Sequence, residues 1–241
     1  MTTDCLFRDD SYLKQCEARV VAVDDRGIVL DRTIFYATSG GQPNDTGTLT
    51  TTGGVAVPIG NVVFLDQGKT EIAHLAAPGA AVLNVGDAVT ATIDWDKRYA
   101  RMRMHTALHL LSAALPYAVT GGAVGDVDSR LDFDIPDAGL DKDEITAKLG
   151  AMIETNAAVT DRWISDEELA ANPGLIKTMT VKPPMGTGRV RLIEIATPDL
   201  RLDLQPCGGT HVRATGEIGA VRVTQIEKKG KQNRRVRLAF A

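Results

Sequence analysis

The hydrophobic pattern of this chain changes period once, at Asp94, and that change limits what it can fold into. Upstream, apolar residues come in short runs: Ala18 to Val23, Ile28 to Leu30, Thr33 to Ala37, Thr48 to Thr51, Asn61 to Leu65, Glu71 to Leu75 and Ala88 to Ile93. Short runs of this kind, punctuated by Gly, Pro, Asn and Asp, read as strands. Asp24-Asp25-Arg26-Gly27 supplies the turn of a hairpin, and the set predicts a small β-barrel or sandwich over residues 1–93. From Asp94 to Leu115 the period becomes helical, with Met104, Leu108, Leu111 and Leu115 on one stripe and Pro116 at the end.

Beyond that helix the sequence mixes both periods. Asp141, with Glu144 three residues on, is expected to cap a helix from Lys142 to about Ala157, and Ser165 with Glu168 to cap a shorter one that stops at Asn172-Pro173-Gly174. Arg189 to Ile195, Leu200 to Gln205, Val221 to Ile226 and Arg235 to Phe240 read as strands, the last two as a hairpin. The expectation is an α+β chain: a β-barrel domain over 1–93, then an α+β domain over 94–241 with an antiparallel sheet.

Length and composition agree with an ordinary globular protein: 241 residues, 44% hydrophobic and 24% charged. No apolar run reaches the roughly 20 residues that cross a bilayer, and Met1 to Asp10 lacks the basic head and apolar core of a signal peptide. A cytoplasmic location without membrane attachment is expected, and no obligate protein partner is evident. Three cysteines, Cys5, Cys16 and Cys207, argue against a disulfide framework and are expected to be reduced. The net charge of −4 counts against nucleic-acid binding, but two basic islands keep it open: Lys97, Arg98, Arg101 and Arg103, and the C-terminal Lys228, Lys229, Lys231, Arg234, Arg235 and Arg237. Solvated faces explain such islands equally well.

Two motifs carry chemistry. His105-Thr-Ala-Leu-His109 places two imidazoles one helical turn apart on the same side, and Cys207-Gly-Gly-Thr-His211 follows a strand, where paired glycines can fold a thiolate and an imidazole to one point. Each pair alone is weak evidence. Together they make a Cys-His₃ set suited to one Zn²⁺ per chain, held between helix and strand-loop. His74 stands in a strand without a partner at ligand spacing and is read as structural. A zinc protease is disfavoured because Thr106 stands where the general-base glutamate would follow the first histidine.

These motifs, with Arg130-Leu-Asp-Phe133 between them and Phe35-Tyr-Ala-Thr-Ser-Gly-Gly-Gln42 upstream, resemble the editing domain of alanyl-tRNA synthetase and its free-standing relatives, the AlaX proteins. The resemblance implies hydrolysis of the ester in tRNA(Ala) mischarged with serine, or with glycine, without ATP. It implies catalytic-site roles for Thr38, at the position that meets the serine side chain, and for Gln42, with Gly40, Gly41 and Asp132 contacting substrate or tRNA. A pocket shaped for alanine rejects serine poorly, so a second site that reads the hydroxyl is physically required. A turn role explains Thr38 without any substrate. Arg98 and Arg101, on the histidine side of the helix by its geometry, are expected to meet tRNA phosphates, with Arg103 opposite. Ordinary solvation or ion pairing explains them as well.

The family's Gln-Lys-Gly-Ser-like segment is replaced here by Thr120-Gly-Gly-Ala-Val-Gly125, and neither an aminoacylation domain nor a long C-terminal extension is present, so the chain is expected to act in trans. Because four protein ligands often mark a closed structural site, the alternative is a zinc-stabilised tRNA-binding module without catalysis.

Overall fold

Alternation closes on itself in the first half of the chain. The computed structural model describes residues 2–136, 139–179 and 188–241, which form two compact units. The first comprises Met1–Ser39 with Pro43–Arg98. After β1 (Asp4–Cys5) come β2 (Gln15–Asp24), β3 (Gly27–Leu30), β4 (Arg32–Thr33), β5 (Gly47–Thr51), β6 (Ala56–Phe64), β7 (Ile72–Ala76) and β8 (Ala88–Ile93). Six of them close an antiparallel barrel in the order β2-β3-β7-β6-β5-β8, which leaves no open edge among those strands. Period two is plain in β8, where Val89, Ala91 and Ile93 are buried in the barrel core and Thr92 is exposed.

The expected strand from Thr33 to Ala37 is not one. Only Arg32–Thr33 pairs, parallel to β1, while Ile34 to Ala37 run buried without strand assignment. Side chains replace the ladder there: the Phe35 amide donates to Thr33 Oγ1 at 3.1 Å and the Tyr36 amide to Asp45 Oδ2 at 2.6 Å. His74 belongs to this core. Its Nδ1 donates to the Ile28 carbonyl at 3.0 Å, its Nε2 accepts from the Thr33 hydroxyl at 2.8 Å, and burial pushes it down to about 4.

The second unit comprises Gly40–Gln42 and Tyr99–Ala241. The first helix, α1 (Trp95–Ala114), is followed by β9 (Val119–Ala123), β10 (Asp128–Asp134), α2 (Lys142–Glu154), β11 (Ala158–Ser165), α3 (Asp166–Ala171), β12 (Arg189–Ala196), β13 (Arg201–Pro206), β14 (Val221–Lys228) and β15 (Asn233–Phe240). The strands form two antiparallel sheets, ordered β14-β15-β10-β9 and β11-β12-β13. The Asp141 carboxylate accepts from the amides of Asp143 and Glu144 and starts α2, a cap worth about 1 kcal/mol. Ser165 and Glu168 form the reciprocal capping box of α3.

Helix α1 departs from its expected stripe. From Arg101 to Leu115 every residue except Arg103 and Ala113 is buried, so the helix is enclosed rather than one-faced. Its polar residues are therefore interior groups that require partners.

Candidate metal centre

Helix α1 and the turn after β13 bring four ligand atoms together. One atom each from His105, His109, Cys207 and His211 lies within 4.8 Å of the others. Cys207 Sγ stands 3.5 Å from His105 Nε2 and 3.3 Å from His211 Nε2. A tetrahedral cation with ligand bonds of about 2.3 Å to sulfur and 2.0–2.1 Å to nitrogen sets sulfur and nitrogen about 3.6 Å apart. The two sulfur–nitrogen distances fit such an ion.

The turn works because Gly209 has no side chain. A Cβ there would stand 2.2 Å from Cε1 of the His105 ring and 2.8 Å from Gln42 Oε1. The turn is also held from outside: the Cys207 amide donates to the Arg191 carbonyl at 3.0 Å, and Arg191 Nη1 to the Gly209 carbonyl at 2.8 Å.

Each histidine is fixed through its other nitrogen. His105 Nδ1 donates to Gln42 Oε1 at 2.8 Å, His109 Nδ1 to Asp203 Oδ2 at 2.7 Å, and His211 Nδ1 to Thr106 Oγ1 at 3.2 Å. Protons on all three Nδ1 atoms leave the Nε2 lone pairs for a cation. Burial opposes charge on His109, yet the Asp203 carboxylate and Cys207 hold it up at about 9. Burial, with the charge of His105, drives His211 down to about 3. Burial also resists a thiolate at Cys207, but His105 and His211 bring its pKa well below the ordinary thiol range. A buried thiolate that requires positive charge beside it suits a cation site.

Gln42, expected at the catalytic centre, is fully buried, and both ends of its amide are hydrogen-bonded. Its Oε1 also accepts from the Thr210 amide at 3.1 Å and its Nε2 donates to Thr210 Oγ1 at 2.9 Å, which ties His105 to the turn. Gly41 seats this segment on the glycine strand β9: at φ +83° its carbonyl accepts from the Val124 amide at 2.8 Å, and a Cβ would stand 2.8 Å from the Gly122 carbonyl oxygen. Gly40 is exposed, with φ +58°.

The arginines correct a helix-face expectation. Arg98 is wholly buried, with Nε 3.0 Å from both carboxylate oxygens of Asp45, Nη2 on Asp45 Oδ2, and further bonds to the carbonyls of Ser11 and Ile34. Its guanidinium is consumed within the barrel unit and presents nothing to phosphates. Arg101, also buried, pairs with Asp126 at 2.7 Å, and Arg103 donates to the Ile218 carbonyl at 2.9 Å. Asp132 is held by Arg235 at 2.8 Å and Arg130 at 2.5 Å; burial resists its ionisation, but these partners keep it below the usual carboxylate range. In the C-terminal island Lys229 and Arg237 both pair with Glu227. Thr38 is exposed; its hydroxyl donates to Asn44 Oδ1 and accepts from the Asn44 amide, each at 3.1 Å.

Comparison with known proteins places the chain among synthetase-associated domains. Residues 190–237 match the second additional domain of threonyl and alanyl tRNA synthetases, and residues 7–97 match class II (A) tRNA synthetases. The chain is 36% identical over 248 residues to the alanyl-tRNA editing protein AlaX-M of Methanosarcina acetivorans, covering 97% of both chains. It is 34% identical over 242 residues to AlaX-M of Saccharolobus solfataricus, with the same coverage. Alanine–tRNA ligase of Pyrobaculum aerophilum is 34% identical over 233 residues, which are 92% of this chain and 25% of the ligase. The chain belongs to the AlaX family of alanyl-tRNA editing proteins.

Proposed function

We propose that this protein is a zinc-dependent aminoacyl-tRNA deacylase that acts in trans, in the cytoplasm, on tRNA(Ala) mischarged with serine, with glycine as a second substrate. One observation carries the reading: a chain of this family brings three oriented imidazoles and one cysteine sulfur together, with their ligand atoms within 4.8 Å of one another. The donor set, one sulfur and three nitrogens, favours zinc among the divalent ions. When bound, the ion supplies a positive centre that polarises the ester carbonyl, activates water or orients the substrate amine.

Two further side chains are given roles in this reading. Thr38 keeps one acceptor lone pair beyond its two bonds to Asn44, enough to take a hydrogen bond from a serine hydroxyl that alanine lacks. Gln42 holds His105 and the Cys207–His211 turn in one arrangement. Four protein ligands also favour a zinc-stabilised tRNA-binding module, in which the same site is purely structural. The two readings separate when tRNA(Ala) charged with serine, glycine or alanine is incubated with the protein and released amino acid is measured. Serine release well above that of alanine supports the deacylase; tRNA retention without release of any amino acid assigns the binding module.

A further inference from the structure

Of the three nitrogen-side partners that orient the metal-site histidines, two are neutral: the Gln42 amide and the Thr106 hydroxyl. The third is a carboxylate, and it is buried. Asp203 has a side-chain exposure of 0%, and its oxygens divide between the His109 imidazole and the Lys177 ammonium. Oδ2 takes the His109 Nδ1 proton at 2.7 Å, along with the Gln205 amide, also at 2.7 Å. Oδ1 takes the Lys177 ammonium at 2.5 Å. Lys177 is itself registered: its carbonyl accepts from the Val119 amide at 2.9 Å and the Met179 amide donates to the Val119 carbonyl at 2.8 Å, so the segment runs as a parallel extension beside β9.

We infer that Lys177 and Asp203 are a positioning pair that acts through His109: Asp203 strengthens the imidazole as a metal ligand, and Lys177 limits how far. The inference rests on reading His105, His109, Cys207 and His211 as a cation site. An imidazole donating to a carboxylate carries more electron density on its other nitrogen than one donating to a neutral acceptor, and its ring is held against rotation. Left alone, Asp203 and the Cys207 thiolate together cancel the charge of a divalent ion. Lys177 restores one positive charge at the end of the line, so that the ion retains electron-accepting character. The two residues thus push metal affinity in opposite directions, which a merely structural ion pair does not do.

The probe is Co²⁺ alone, added to the full chain after chelation, with affinity read by competition against a chromophoric chelator and the ligand field by visible absorption. Asp203→Asn keeps the shape and deletes the charge; it is expected to weaken Co²⁺ about 10- to 100-fold and to shift the absorption bands. Lys177→Gln, at a half-buried position from which a side-chain amide can still donate to Asp203 Oδ1, is expected to stay folded and to tighten Co²⁺ by about threefold or more. If Asp203→Asn does not fold, the sign of the Lys177→Gln effect decides alone. Equal Co²⁺ affinity in Lys177→Gln and the unaltered chain, or weakening in both variants, overturns the inference. Failure of the unaltered chain to take up Co²⁺ overturns the metal reading itself, and this inference with it.

Discussion

Gly209 lies against the imidazole of His105 so closely that a Cβ would stand 2.2 Å from Cε1 and 2.5 Å from Nδ1, while a Cβ on the adjoining Gly208 would meet nothing within 4 Å. Two neighbouring glycines of one motif therefore have opposite tolerances. Gly209→Ala is expected to displace His105 and lower metal content several-fold; Gly208→Ala is expected to leave metal content unchanged. Metal analysis of both purified variants checks this, and equal retention by both would show that the turn does not depend on the His105 contact.

Arg98 and Asp45 make an ion pair with side-chain exposures of 0% and 1%. Removing one partner of such a pair strands the other charge in the interior, at a cost of about 3–5 kcal/mol. Arg98→Ala is therefore expected to reduce unfolding free energy by about that amount in urea denaturation. Arg103→Ala, at a position that is only partly buried, is expected to cost much less. A stable Arg98→Ala protein with altered salt dependence of tRNA binding would restore the phosphate role that the helix geometry suggested.

His74 links stability to pH. It is neutral in the fold, with a pKa of about 4 against an ordinary 6.5. Below 6.5 the unfolded chain takes up a proton that the folded chain refuses, so this contribution is complete above pH 6.5 and is lost as pH falls toward 4. The loss approaches about 3 kcal/mol. His74→Gln is expected to be less stable at pH 7, where it loses well-placed bonds to Thr33 and Ile28, but to show a flatter decline between pH 6.5 and 4. Parallel slopes in urea titrations across that range would contradict a neutral His74.

Thr38→Val deletes the hydroxyl and keeps the shape. Hydrolysis of Ser-tRNA(Ala) is expected to lose about 1–3 kcal/mol of transition-state stabilisation in kcat/KM, with metal content unchanged. Thr38→Ser, which keeps the hydroxyl, is expected to retain most activity. An undiminished rate for Thr38→Val would leave Thr38 a turn residue tied to Asn44.

Much of the architecture was legible in the sequence because it rests on period and turn chemistry. The hairpin at Asp24 to Gly27, the caps Asp141 and Ser165, and the ligand spacings in His105 to His109 and Cys207 to His211 are local signals that tertiary packing left standing. Strand β11 gave no such signal: it is mostly exposed and shows no alternation. The surroundings of the His105–His109–Cys207–His211 cluster were hidden for a different reason. In β13 leucines alternate with Arg201, Asp203 and Gln205, yet Asp203 and Gln205 are the buried residues and Leu202 and Leu204 are only half-buried. A polar residue is buried at low cost when a partner from a distant segment satisfies it, and His109, 94 positions away, satisfies Asp203. Periodicity cannot announce such a pairing. The same holds for Arg98, whose partner Asp45 lies 53 positions upstream.

The central claim, that hydrolysis depends on a cation held by His105, His109, Cys207 and His211, is tested most directly by measuring serine release from Ser-tRNA(Ala) as zinc is titrated into the chelated protein. Release is expected to rise in proportion to zinc and to stop rising at one ion per chain, with none in Cys207→Ala or His211→Ala at any zinc concentration. Undiminished serine release from the chelated protein, or from either variant, would contradict it.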